Sequence, residues 1–201
     1  MPGAKGVYIS YKCGDDTEAG REHEAFVDRL DTSLRTAGHN VRRDKRDIGY
    51  KDSIHEFMDE LGRGHCIVVV LNNEYLRSRF CMYELVQIYR KDDFRKRIVP
   101  MVLPDVTGLT PMQRLKIVKF WGEQRDQHQQ ELALNLGDIS HEGVADFDRV
   151  RQIAQNCDAA LSHIFDMNCL NQGQLEANDF QLVKEEIKRG MEQLSTQARR
   201  P

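Results

Sequence analysis

The run His65-Cys66-Ile67-Val68-Val69-Val70-Leu71 lies between Gly64 and the pair Asn72-Asn73. It is apolar and β-branched at its centre, with no alternation of polar and apolar positions. A strand with one wet face alternates; a continuous apolar run reads as a strand covered on both faces, as in a parallel sheet. The segment Ser78-Arg79-Phe80-Cys81-Met82-Tyr83-Glu84-Leu85 follows closely. On a helix starting near Arg79 each residue turns about 100°. Cys81, Leu85, Ile88 and Tyr89 then form one apolar stripe, the face that packs on a sheet. Glu84 falls at the edge of that stripe, and Phe80, four residues earlier, stacks over the same face. A carboxylate beside an aromatic ring, at the head of a helix after a central strand, reads two ways. It is either a working acid or an ordinary rim glutamate.

Outward from this centre, strands and helices alternate. Val7 to Tyr11 (VYISY) reads as a first strand. Lys12 to Gly20 reads as a polar loop. Phe26, Leu30 and Leu34 mark a first helix, with Gly38 as its C-terminal cap. Asn40 to Asp44 is placed as a second strand by its position, and Lys45 to Asp52 is a charged loop around Gly49. Ser53-Ile54-His55-Glu56 is a capping box ahead of Ile54, Phe57, Met58 and Leu61 at helical spacing. Arg97 to Leu103 (RIVPMVL) reads as a fourth strand, and Pro100 implies an edge or an irregular position.

This β-α rhythm predicts an α/β fold: a flavodoxin-like open parallel sheet of about five strands with helices on both faces. Ligands of such sheets sit outside the carboxyl ends of the strands, at the point where strand order reverses. In the flavodoxin-like order that crevice lies between strands one and three. Ser10, Tyr11, Lys12, Asn72, Asn73 and the head of the Glu84 helix would build it.

The second half reads as helical. Thr110-Pro111 opens a helix through Trp121 toward Gln130. Phe147, Val150, Ala154, Cys157, Leu161 and Ile164 recur three and four apart. Phe180, Val183, Ile187, Met191 and Leu194 mark a last helix, with Asn178 as a candidate cap. Leu132 to Leu136 reads either as a short fifth strand or as the end of the preceding helix. The expected organisation is a core over residues 1–137 and a helical region over 138–201 that completes or extends it.

Composition bounds the function. The chain has 201 residues and a net charge of −3, so no overall basic field recruits nucleic acid. Met1 to Gly6 holds no apolar signal core, and Cys66 to Leu71 is too short to span a bilayer. Five cysteines without a CxxC fit reduced thiols in a cytoplasmic protein. No GxGxxG follows the first strand, and no GxxxxGK[ST] occurs. His55, His65, His128, His141 and His163 lack metal-ligand spacing, so neither a metal nor a resident cofactor is expected. Arg42, Arg43, Lys45 and Arg46 form a basic cluster that is either solvated surface or a pyrophosphate contact.

In order along the chain, these motifs resemble a TIR (Toll/interleukin-1 receptor) domain of the bacterial kind. Val7-Tyr8-Ile9-Ser10-Tyr11 resembles the first-strand box. Asp44 with Arg46-Asp47-Ile48-Gly49 resembles the second box and its BB loop. Ser78 to Leu85 resembles the S-x-W-C-x-x-E-L box, Ile98 to Met101 the fourth strand, and Phe120-Trp121 the late aromatic pair. The resemblance spans roughly residues 6 to 135. In two places the chain departs from it: Phe80 stands where the family usually has Trp, and the BB loop lacks the Pro common before its Gly.

The resemblance implies an NAD+ glycohydrolase or cyclase, active in bacterial anti-phage defence, with NAD+ as substrate and Glu84 as catalytic acid. By the same resemblance Phe80 packs against the nucleotide. Tyr11 and Lys12, beside Ser10, meet its nicotinamide or phosphate side. Asp44, Arg46, Asp47, Ile48 and Gly49 flank the ribose or act as a lid. It also implies head-to-tail self-association through the BB loop and helices, which can grow into filaments, and a sensor or activator module as partner. Neither nucleic acid nor membrane is an expected partner. The alternative is a non-enzymatic adaptor that docks other TIR domains.

Overall fold

The computed structural model describes residues 6–43, 66–134, 140–167, 169 and 172–197. Four parallel strands stand in the order β2-β1-β3-β4: β1 (Val7–Tyr11), β2 (Val41–Arg43), β3 (Cys66–Leu71) and β4 (Ile98–Val102). This is the flavodoxin-like arrangement, with the order reversing between β1 and β3. Every residue of β3 is buried, as its unbroken apolar run requires. Pro100 sits on β4, which is an edge strand among the described residues. There Pro lacks only a hydrogen bond the edge would leave unpaired.

About five strands were expected and four are present among the described residues. Leu132 to Leu134 belong to a helix, the second of the two readings of that segment. The candidate helix from Ile54 to Leu61 lies outside the described residues.

Eight helices are described: α1 (Glu18–Thr36), α2 (Asn73–Arg77), α3 (Arg79–Tyr89), α4 (Phe94–Arg97), α5 (Pro111–Leu134), α6 (His141–Phe165), α7 (Gln172–Ala177) and α8 (Gln181–Gln197). Helix α1 starts earlier than its apolar pattern suggests. Thr17 caps it by accepting from the Gly20 N–H at 3.0 Å, so Glu18 to Gly20 are helical rather than loop. Gly20 is required there, since a Cβ would fall 2.2 Å from Asp15 Oδ1. The other end closes as expected on Gly38 at φ +87°, with His39 N–H donating to Leu34 C=O and Gly38 N–H to Arg35 C=O.

Asn72-Asn73 does not simply turn. Asn72 Oδ1 accepts from the Tyr75 N–H at 2.7 Å and caps α2. Similarly, the last helix begins at Gln181, one residue after Phe180. The Gln181 N–H bonds the Asn178 backbone carbonyl, and Phe180 sits at φ 56° with its ring edge-on to Phe26.

Side chains of the sheet divide between two cores. On one face Tyr8, Ile67, Val69 and Leu71 pack with Met82, Leu85 and Ile88 of α3, Trp121 of α5 and Ile153, Cys157 and Leu161 of α6. On the other, Val7, Ile9 and Tyr11 pack with Phe26, Leu30 and Leu34 of α1 and Val183 and Ile187 of α8. Residues beyond 138 thus cover both faces. No described helix is long and apolar enough to cross a membrane.

Candidate active site

Helix α3 begins immediately after the short α2. Ser78 caps it, its Oγ accepting from the Cys81 N–H at 3.4 Å. The apolar stripe predicted for α3 is real: Cys81, Leu85 and Ile88 are buried and Tyr89 packs against the same core. Glu84 is more than a rim residue, with only 6% of its surface exposed. A carboxylate this deep needs a partner, and the sheet supplies one. Ser10, on β1 and 2% exposed, donates from Oγ to Glu84 Oε2 at 2.6 Å. Behind Ser10, at 2.8 Å, lies the hydroxyl of Tyr75. The line Tyr75-Ser10-Glu84 joins α2, β1 and α3 at the point where strand order reverses.

The helix head is tied down on both sides. Cys81 Sγ donates to the Tyr11 carbonyl at 3.6 Å, binding α3 to the end of β1. Arg79 pairs with Asp146 of α6 at 3.0 Å, and Arg149 also reaches Asp146 at 2.6 Å. The Arg79 guanidinium lies 5.2 Å from the centre of the Phe80 ring. That ring is 39% exposed, one turn before Glu84.

Of the residues singled out from sequence, Ser10 and Glu84 are in direct contact, and Phe80 shares the helix of Glu84. Lys12 is half-buried at the end of β1. The Tyr11 ring is not brought to Glu84. It points to the α1 side of the sheet, with Arg43 5.7 Å from its centre and the His23 ring 6.1 Å away. Asp44, Arg46, Asp47, Ile48 and Gly49 lie outside the described residues.

Two residues went unremarked in the sequence. Tyr75 completes the hydrogen-bonded line to Glu84. The available signal was Ser10 itself: a hydroxyl inside a wholly buried strand requires partners of its own. The second is His23, on a cleft of about 370 Å³ that opens on the α1 side of the sheet, away from Glu84, beside Asn72, Glu74 and Asp105. Neither ring nitrogen of His23 closes a well-formed hydrogen bond. Burial holds its pKa below the usual 6.5, while the Lys12 backbone and nearby carboxylates act in the opposite sense.

The strand order is that of a flavodoxin-like sheet, and the Ser10-Glu84 pair stands where that order reverses. A profile described as the TIR domain matches residues 7–134. The chain belongs to the TIR-domain family. That stretch holds Ser10, Tyr11, Lys12, Phe80 and Glu84. The TIR domains in the solved structure of the activated Roq1 resistosome directly recognizing the pathogen effector XopQ are similar to this chain. The likeness covers 92% of this chain and 99% of that one, with a TM-score of 0.57 and 20% identity. At that identity it shows the TIR fold. No protein of curated function matches the sequence.

Proposed function

We propose that this TIR domain cleaves NAD+ to nicotinamide and ADP-ribose or a cyclic isomer, with Glu84 as the catalytic carboxylate. The observation that carries this reading is the burial of Glu84 at the strand-order reversal, with one oxygen held at 2.6 Å by Ser10. In the reaction the bond from ribose C1′ to the nicotinamide nitrogen breaks, and its electron pair leaves with that nitrogen. Nicotinamide departs neutral, because in NAD+ it is already a pyridinium. Ordinary glycosidases need a second carboxylic acid to protonate a leaving oxygen; here none is required. What remains is an oxocarbenium-like ribose that is positive at C1′. A fixed carboxylate in a poorly hydrated site stabilises that charge as it develops. Water then attacks C1′ and loses a proton to give ADP-ribose, or a nucleophile of the same molecule closes the cyclic product.

In this reading the exposed Phe80 ring packs against the nucleotide and Lys12 meets its phosphate side. Ser10 serves through Glu84. Tyr11 contributes its backbone, whose carbonyl holds Cys81, rather than its ring. Asp44 to Gly49 complete the site as a lid or as a neighbour's contribution in a head-to-tail assembly. The assembled state of the Roq1 TIR domains supports such self-association here. The setting we assign is cytoplasmic NAD+ depletion or nucleotide signalling in bacterial anti-phage defence, under a sensor or activator module.

The test is to incubate concentrated protein with NAD+, with and without a crowding agent, and to follow products by chromatography. Nicotinamide and ADP-ribose (linear or cyclic) should form in equal amounts. No nicotinamide from protein that light scattering shows to be assembled overturns the reading in favour of a TIR adaptor; silence of unassembled protein marks an effector awaiting its activator.

A further inference from the structure

Tyr75 is fully buried, on the short helix α2 that connects β3 to α3. Phenylalanine would fill the same space among Leu71, Leu76 and Met82 without a hydroxyl to satisfy. A buried hydroxyl without a partner is costly, and the partner it finds among the described residues is informative. Ser10 Oγ lies 2.8 Å from Tyr75 Oη and 2.6 Å from Glu84 Oε2.

A hydroxyl carries a single proton, and a carboxylate only accepts. Ser10 donates its proton to Glu84. The bond between Ser10 and Tyr75 must therefore be made with the Tyr75 proton. Tyr75 is suited to hold it: burial raises its pKa well above the usual 10, and the neighbouring Cys81 and Glu84 add to that, with the Ser10 hydrogen bond acting against them. All the donors point one way, from Tyr75 to Ser10 to Glu84.

The geometry points to Tyr75 as a positioning residue for Glu84, acting through the hydroxyl of Ser10. The inference rests on the reading of Glu84 as the catalytic carboxylate. A serine hydroxyl is a free rotor until its acceptor side is occupied. Tyr75 occupies it, which leaves the Ser10 proton aimed at Glu84 and one carboxylate oxygen fixed before substrate arrives. Aligned hydrogen bonds also polarise one another, so the donor to Glu84 is strengthened. The three residues belong to three elements, so the orientation of Glu84 is set by β1 and α2 as well as by its own helix.

The test uses protein labelled with 13C at the glutamate carboxyl carbon. The Glu84 signal is assigned by its loss in Glu84→Gln. Wild type, Tyr75→Phe, Ser10→Ala and the double variant are compared at one pH, after thermal melts establish that each is folded. If Ser10→Ala does not fold, Ser10→Cys replaces it. Tyr75→Phe should move the Glu84 signal although the removed atom does not touch Glu84. The same change should have no effect once Ser10 is Ala, because the two substitutions act through one hydroxyl. On the same proteins, Tyr75→Phe should lower kcat for nicotinamide release about three- to tenfold, with KM unchanged. A Glu84 signal that ignores Tyr75→Phe overturns the inference. So does an equal movement with and without the Ser10 hydroxyl, which would mean general distortion. A wild type that shows the coupled signal but, when light scattering shows it assembled, releases no nicotinamide supports the positioning and refutes the proposed reaction. A wild type that releases nicotinamide while its signal ignores Tyr75 does the reverse.

Discussion

Replacing Trp121 should loosen the connection that sets the head of α3. Trp121 is the only tryptophan in the chain. It lies on α5, 1% exposed, and its Nε1 donates to the Leu76 carbonyl at 2.9 Å. Leu76 belongs to α2, where the last carbonyls of the helix have no intrahelical donor. Trp121→Phe keeps an aromatic ring but leaves that buried carbonyl without its indole donor, at a cost of about 1–3 kcal/mol. The smaller ring adds about 1 kcal/mol for incomplete filling. The expected loss is about 2–4 kcal/mol. Trp121→Ala should lose about 4–8 kcal/mol, adding a truncation cost of about 3–5 kcal/mol to the carbonyl term. That approaches the whole stability of many domains. The assay is urea unfolding followed by far-ultraviolet circular dichroism, since the substitution removes the fluorophore. The midpoint should fall with the slope unchanged. A Trp121→Phe protein within about 0.5 kcal/mol of wild type, the range of ordinary surface changes, would mean that the indole donor does not hold the Leu76 carbonyl.

Two further predictions concern titration and reactivity. Because the folded pKa of His23 lies below the ordinary 6.5, the unfolded chain binds more protons between those two values. The contribution of neutral His23 is present above pH 6.5 and is lost as pH falls through the folded pKa. Melting temperatures of wild type and His23→Gln, compared at pH 7.5 and pH 5, should therefore differ less in favour of wild type at the lower pH; a difference that grows instead refutes the assignment. Burial pushes the Cys66 thiol up to about 12 and the Cys157 thiol up to about 11, from an ordinary 9.0. At pH 8 Cys66 should carry about a thousandfold less thiolate than an exposed cysteine. Mass spectrometry after brief alkylation should find both sites unlabelled in the native protein and labelled in denaturant, and rapid native labelling of either contradicts the packing.

How far the sequence reached depended on whether a signal was local. The unbroken run from Cys66 to Leu71 announced a central strand, and the spacing from Cys81 to Ile88 announced the face of α3 on the sheet. The stripe from Val150 to Ile164 announced α6 as plainly. Each of these is one element burying one face. The start of α1 was hidden because its first two turns, Glu18 to Glu24, carry no periodic apolar residues; the helix depends on the Thr17 cap and the close approach of Gly20 to Asp15. Helix α2 was hidden because five residues are too few to show a period. The candidate site was legible as a location, from the reversal of strand order and the box around Glu84. Its internal wiring was not. Amphipathic spacing placed Glu84 at the rim of a stripe, and only the fold brings Ser10 and Tyr75, from two other elements, to meet it. The side to which Tyr11 points was equally out of reach, since a fully buried strand offers no polar face to orient it.

The proposed chemistry stands or falls with the Glu84 carboxylate. The most direct measurement is the rate of nicotinamide release by wild type and by Glu84→Gln, side by side at equal concentration and with light scattering on both samples to match their assembly. Glutamine keeps the size of the side chain and an oxygen to accept from Ser10, and removes its charge. The Glu84→Gln rate should be about 10²–10³-fold or more below that of wild type, with assembly unchanged. Equal rates in the two proteins would contradict the proposed chemistry.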